Sequence, residues 1–98
     1  MDYNHYLRIK EESNRRASEI VPTWLLGKKE GDHWVAKNPT RADKNAGSFK
    51  INLKTGQWID FATGDCGGCV ISLAIYLHGD RTPYEAAANI ARMIGIRP

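Results

Sequence analysis

The run Cys69–Leu77 (CVISLAIYL) constrains the fold more than any other stretch of this chain. Wound as a helix, it places apolar side chains on nearly every side, so it has no face to offer water and must be enclosed by the rest of the protein. It is also the longest apolar run present, about half of what a bilayer span requires, so no transmembrane segment is expected. With 98 residues in total, the chain buries about two-thirds of the surface its unfolded form exposes. One domain over residues 1–98 with a thin core is the expectation, which excludes a multi-step enzyme carrying its own cofactor domain.

The elements around that helix follow from their periods. Asp2 to about Ile20 lacks Pro and Gly, and Ala17, Ile20, Val21 and Trp24 recur at helical spacing, which predicts an N-terminal helix whose second half packs on the core. Pro22 is expected to break or kink it, and Lys28–Gly31 reads as a charged loop. The period then changes. Asp32–Lys37, Ser48–Leu53 and Gln57–Phe61 alternate in the manner of strands. Lys54-Thr55-Gly56 fits a three-residue hairpin loop between the last two. That register sets Lys50, Asn52 and Trp58 on one face, opposite Phe49, Ile51, Ile59 and Phe61. Residues 38–47 (NPTRADKNAG) show no period and form a long loop. After a glycine-rich bend over 63–68 comes the enclosed helix, ended by Gly79. Thr82-Pro83-Tyr84-Glu85 then forms a capping box with Pro at the first helical position. Ala86, Ala87, Ile90, Ala91 and Ile94 make the buried face of this last helix, and Gly95 closes it. The expected fold is therefore α+β: a three-stranded antiparallel sheet flanked by one N-terminal and two C-terminal helices.

Charge is uneven. The formal net is +3, yet residues 28–54 alone hold seven basic and three acidic side chains, a net of +4. A local excess of this kind suits a polyanionic partner, or simply a solvated face. Met1–His5 has neither a basic nor an apolar signal region, so a cytoplasmic protein is expected. Two cysteines cannot build a disulfide framework. Cys66-Gly67-Gly68-Cys69 supplies half of a zinc site without a spacing signature for the other half, and a redox pair would ordinarily come with a βαβ sheet. Both are read as plain thiols, with Cys69 partly buried at the helix start. Asp60 and Asp65 are the candidate carboxylate pair for a metal. A strand Asp of this kind is expected to accept a backbone N–H or to orient basic neighbours rather than to hold a catalytic metal.

The stretch Asn38–Leu77 resembles the N-terminal zinc-ribbon-like domain of bacterial and phage DNA primases. Gly47-Ser48-Phe49-Lys50-Ile51-Asn52 matches that family's "Pro-Ser-Phe-x-Val-Asn" strand. Gly56-Gln57-Trp58 opens its next strand, and Gly67-Gly68-Cys69-Val70-Ile71 matches its "Gly-Gly-Asp-Val-Ile" helix start. The run Trp58–Gly68 is similar to the N-termini of primase–helicase proteins carried by phages and plasmids. The family's four zinc ligands fall here on Asn38, Arg41, Phe61 and Gly64, none of which suits a thiolate and imidazole site. The resemblance thus implies a metal-free form with no cofactor, in which Phe61 fills apolar space where a thiolate once pointed.

The resemblance also implies a non-catalytic module of a DNA replication or priming system. It would bind template DNA, single-stranded by preference, and present it to a primase, polymerase or helicase in the same or a separate chain. From the residues, Trp58 beside Lys50 and Asn52 is the candidate stacking platform for an unpaired base, although it would equally serve as a second small core under the N-terminal helix. Arg41 and Lys44 in the long loop, with Lys37 and Lys54 at strand ends, are the candidate phosphate contacts. The alternative is a protein-interaction module that docks a replication partner through Tyr3, Tyr6 or Trp58 without touching DNA. No arrangement of nucleophile and base, and no phosphate-cradling glycine loop, points to an enzyme.

Overall fold

The computed structural model describes residues 1–40 and 47–98. Its elements are α1 (Tyr3–Arg15), α2 (Ala17–Trp24), β1 (Gly27–Glu30), β2 (His33–Ala36), β3 (Phe49–Asn52), β4 (Trp58–Asp60), β5 (Cys66–Gly67), α3 (Val70–His78) and α4 (Pro83–Ile94). The chain is α+β as expected, but among the described residues the antiparallel sheet has five strands rather than three, in the simple order β1-β2-β3-β4-β5. The four helices of the described residues gather on one side of it, with α4 packed against α1 and α3. Among the described residues, no helix is long and apolar enough to cross a membrane.

The two additional strands are those that a periodicity argument misses. Lys28–Glu30 belongs to an edge strand, not a loop: Gly31, at φ +60°, turns the chain so that Gly27 pairs with Ala36 and Glu30 with His33. Every residue of β1 is exposed, so it carries no apolar alternation, and its lysines discourage pairing with a second sheet. β5 is two residues long and pairs Cys66 with Ile59 and Gly67 with Trp58.

Pro22 does not break the N-terminal helix. The interruption falls at Arg16 (φ −102°, ψ 21°), which closes α1 and opens α2. The one helical bond that Pro22 forgoes would reach the Ser18 carbonyl, and both residues are exposed, on the side of the helix that water can reach. Arg16 repays its position by donating from Nη1 to the Ile94 carbonyl at 3.2 Å, which caps the far end of α4. The C-terminal helices match expectation closely. Thr82 caps α4 by accepting from the Glu85 N–H at 3.1 Å, while the Glu85 carboxylate accepts from the Arg81 N–H at 3.1 Å instead of closing the expected box on Thr82, and Gly95 ends the helix in the left-handed region.

The core runs from α1 and α2 through α3 to the sheet. Ile9, Ile20 and Val21 share one buried cluster with Val70, Ile71 and Leu73 of α3 and with Phe49, Ile51 and Trp58 of the sheet. The α3 N-terminus is held from two directions. Cys69 and Ser72 cap it reciprocally, and the Asn14 side chain of α1 accepts from the Val70 N–H at 2.9 Å. Gly67 lets the sheet approach this helix closely: a Cβ there would lie 2.5 Å from the Trp58 indole nitrogen and would collide with Ser72 Oγ.

This close approach separates two adjacent glycines. Gly67→Ala is expected to destabilise the protein by about 1–3 kcal/mol through overpacking. Gly68→Ala, in open space at an ordinary φ, should be neutral or stabilise by about 0.4–1 kcal/mol. Urea midpoints of the two variants measured side by side check this.

Candidate nucleic-acid interface

Register determines which side chains the sheet turns away from the helices. Residues paired across an antiparallel sheet share a face. Lys28, Val35, Lys50, Ile59 and Cys66 are successive partners and form one row turned away from the helices, in which Val35 is nonetheless buried. Glu30, His33 and Asn52 form the next. The rows between them, including Trp34, Ile51 and Trp58, face the helices.

Trp58 is therefore not the outward platform that the sequence reading placed beside Lys50 and Asn52. It is 5% exposed, donates its indole N–H to Ser72 Oγ at 3.0 Å, and has its ring 4.6 Å from that of Tyr76 and 6.1 Å from that of Phe49. Nor does it form a separate core under α1. The cause is a single residue of slip. A three-residue loop at 54–56 would set Asn52 opposite Trp58. Instead Gly56 N–H donates to the Asn52 carbonyl at 2.8 Å and Asn52 N–H to the Gln57 carbonyl at 2.7 Å. The loop thus has four residues, Leu53–Gly56, and Ile51 pairs with Trp58. A shift of one turns every side chain of β4 over.

The same slip brings out Ile59 and Phe61, which had been assigned to the core side. Phe61 is 65% exposed and does not fill apolar space between the loops. Lys50 Nζ lies 5.9 Å from its ring centroid, a cation–π distance, and Lys50 forms no ion pair with a carboxylate among the described residues. Between them opens a cavity of about 330 Å³, lined by His33, Lys50, Asn52, Gln57, Ile59 and Phe61, with Cys66 and Gly67 on β5 and the small exposed part of Trp58. Asn52 Oδ1 accepts from the Lys54 N–H at 2.8 Å and the Thr55 N–H at 3.2 Å, so the hairpin loop fixes the amide.

A buried polar network holds the turn that presents Phe61. Asp60, fully buried on the helix side of β4, accepts at Oδ1 from the Ala62 N–H at 2.8 Å and at Oδ2 from Asn38 Nδ2 at 2.8 Å. Its carbonyl takes the Gly64 N–H at 2.7 Å, and its own N–H donates to the Asp65 carbonyl at 2.8 Å. Asn38, also buried, donates to Tyr76 Oη at 2.7 Å, and Tyr76 donates to Asp65 Oδ2 at 2.8 Å. Asp60 thus accepts a backbone N–H as the sequence predicted, and Asn38 spans the gap from the end of β2 to β4 with hydrogen bonds.

Of the remaining expected contacts, Lys54 pairs with Asp32 at 3.5 Å with both side chains exposed, an arrangement of small energetic weight. Lys37 lines a second cavity of about 270 Å³ with Trp24, Leu25, Leu26 and Pro39, which shares no residue with the first. Arg41 and Lys44 lie outside the described residues. The structure thus brings Lys50 and Asn52 together and adds Phe61, His33, Gln57 and Ile59, none of which the sequence reading had placed in the site. Cys66 and Cys69 are both unpaired thiols, one on the outward face and the other capping α3. Among the described residues, no three His, Cys, Asp or Glu side chains gather as a metal site. On the helical side, Tyr6 lies between the rings of Tyr3 and Tyr84. Its hydroxyl is held above its ordinary pKa by burial first, and then by charge on Cys69, Tyr84 and Tyr3.

No model of a known protein family matches this chain, and no curated protein sequence matches it.

The two aromatics of the β4 region should separate cleanly in stability. Trp58→Phe loses the bond to Ser72 and part of the core, at an expected cost of about 1–3 kcal/mol. Phe61→Ala, on the surface, should stay within about 0.5 kcal/mol of the parent. Equal losses in chemical denaturation would show that Phe61 is part of the core.

Proposed function

We propose that this chain is a non-catalytic module that binds single-stranded DNA on the outward face of its sheet, and that it serves a replication or priming system by presenting template to a primase, polymerase or helicase. The observation that carries the reading is Phe61: a large exposed ring on a sheet face, with the Lys50 ammonium over it and a cavity of nucleotide size beside it. Every base has a π-face, so an exposed ring beside a cation suits unpaired DNA without demanding a sequence. A duplex offers no free base face to such a ring. The positive balance of residues 28–54 supplies the sequence-independent attraction to phosphate.

The link to priming rests on the resemblance of Asn38–Leu77 to primase zinc-ribbon domains. Chemistry on the nucleotide would then belong to a partner. Asn38 and Asp60 support this reading in one respect: they cross-link the loop ends by hydrogen bonds where the resemblance would put a metal, so the turn bearing Phe61 has its own means of support.

Fluorescence anisotropy with a labelled thymidine oligonucleotide tests this. Binding is expected at low salt and should weaken steeply as salt rises. Phe61→Ala should weaken it by roughly five- to a hundredfold, the range for losing one stacked base. Lys50→Ala should weaken it and lower the slope of log affinity against log salt by about one. No binding at low salt, or binding that both variants leave intact, would overturn the proposal.

A further inference from the structure

The cavity beside Phe61 does more than stack a base if the polar groups around it are fixed, and one of them is. Asn52 Oδ1 is already engaged by the Lys54 and Thr55 N–H groups of the hairpin loop, at 2.8 and 3.2 Å. The side chain therefore cannot exchange its two ends, and what remains for a ligand is its Nδ2 donor. The cation of the cavity, Lys50, is likewise only a donor. His33 and Gln57, also lining the cavity and both exposed, can each turn to donate or accept, and so do not discriminate by themselves.

We infer that this cavity selects one unpaired base by its keto group, taking thymine or guanine in preference to cytosine or adenine. Thymine O4 and guanine O6 offer an acceptor where cytosine and adenine carry an amino group. An amino group facing Asn52 Nδ2 and Lys50 Nζ would set donor against donor and leave both unpaired inside a partly enclosed site. Asn52 itself cannot give adenine the amide recognition it ordinarily receives, because that needs the oxygen and the nitrogen of one side chain together and its oxygen is occupied. The volume of about 330 Å³ suits one base stacked on Phe61 rather than a run of them, so the preference applies at one position of the bound strand.

This inference rests on the single-strand reading above, and the experiment keeps the two apart. Oligonucleotides of deoxyuridine and deoxycytidine of equal length differ in their bases at C4 and N3 only, and carry the same backbone and nearly the same stacking surface. Anisotropy titrations should show deoxyuridine bound about tenfold tighter than deoxycytidine, the size expected of one well-made base contact. Asn52→Asp retains an oxygen for the loop N–H groups and so retains the hairpin, but it replaces the donor with an acceptor. Its deoxyuridine-to-deoxycytidine ratio should fall to one or invert, whatever happens to overall affinity. Equal binding of both strands by the parent protein, or a ratio that survives in Asn52→Asp, overturns the inference and leaves the single-strand reading standing. Failure of either strand to bind overturns that reading itself.

Discussion

The hydrogen bonds that close the β3–β4 hairpin fix most of what distinguishes the two faces of this protein. Asn52 contributes both of its backbone groups and its side-chain oxygen to the loop, and Gly56 takes the left-handed φ of +81° that a loop of this length needs. Gly56 also lies where a Cβ would meet the Asn14 side chain and the Val70 backbone, so the loop is set against α1 and α3 as well as within the hairpin. One register follows. It sends Trp58 and Asp60 inward and Lys50, Asn52 and Ile59 outward, and leaves Phe61 on the surface.

What lies inward then supports what lies outward. Trp58 ties β4 to α3 through Ser72, and Asp60 ties the following turn to β2 and α3 through Asn38 and Tyr76. A carboxylate this deeply buried is stabilising only when its oxygens are satisfied, and Asp60 receives both a backbone N–H and a side-chain amide. The turn that carries Phe61 is therefore braced from beneath rather than by packing of Phe61 itself. That arrangement lets a large apolar ring remain in solvent without loosening the fold. It also largely separates stability from binding: of the residues that line the outer cavity, Trp58 and Gly67 also join the sheet to α3, whereas Lys50, Asn52 and Phe61 do not.

The helices were the legible part of the sequence. The capping signals at Thr82 and Gly95, the glycine after His78 and the apolar run of α3 all reflect local chemistry, which acts over one or two turns and reads directly from residue order. Pro22 misled because its cost depends on whether the forgone carbonyl can reach water, a tertiary fact. β1 was missed because an edge strand exposed on both faces has no alternation. The inward and outward assignment of β4 failed for a sharper reason: alternation gives the period of a strand but not its phase, and the phase hung on whether the hairpin loop has three residues or four. Asn52 was the available signal, since an Asn four residues before a Gly can engage loop N–H groups through its side chain. The candidate site moved with the phase. Lys50 and Asn52 kept their face because β3 alternates cleanly, while the aromatic platform passed from Trp58 to Phe61.

The most direct measurement is amide chemical-shift mapping of the intact protein titrated with a short single-stranded oligonucleotide at low salt. If the outward sheet face holds the strand, the shifts should gather on His33, Lys50, Asn52, Ile59 and Phe61 and leave the helical side undisturbed. Shifts gathered instead around Tyr3, Tyr6 and Tyr84, or none at all, would contradict it.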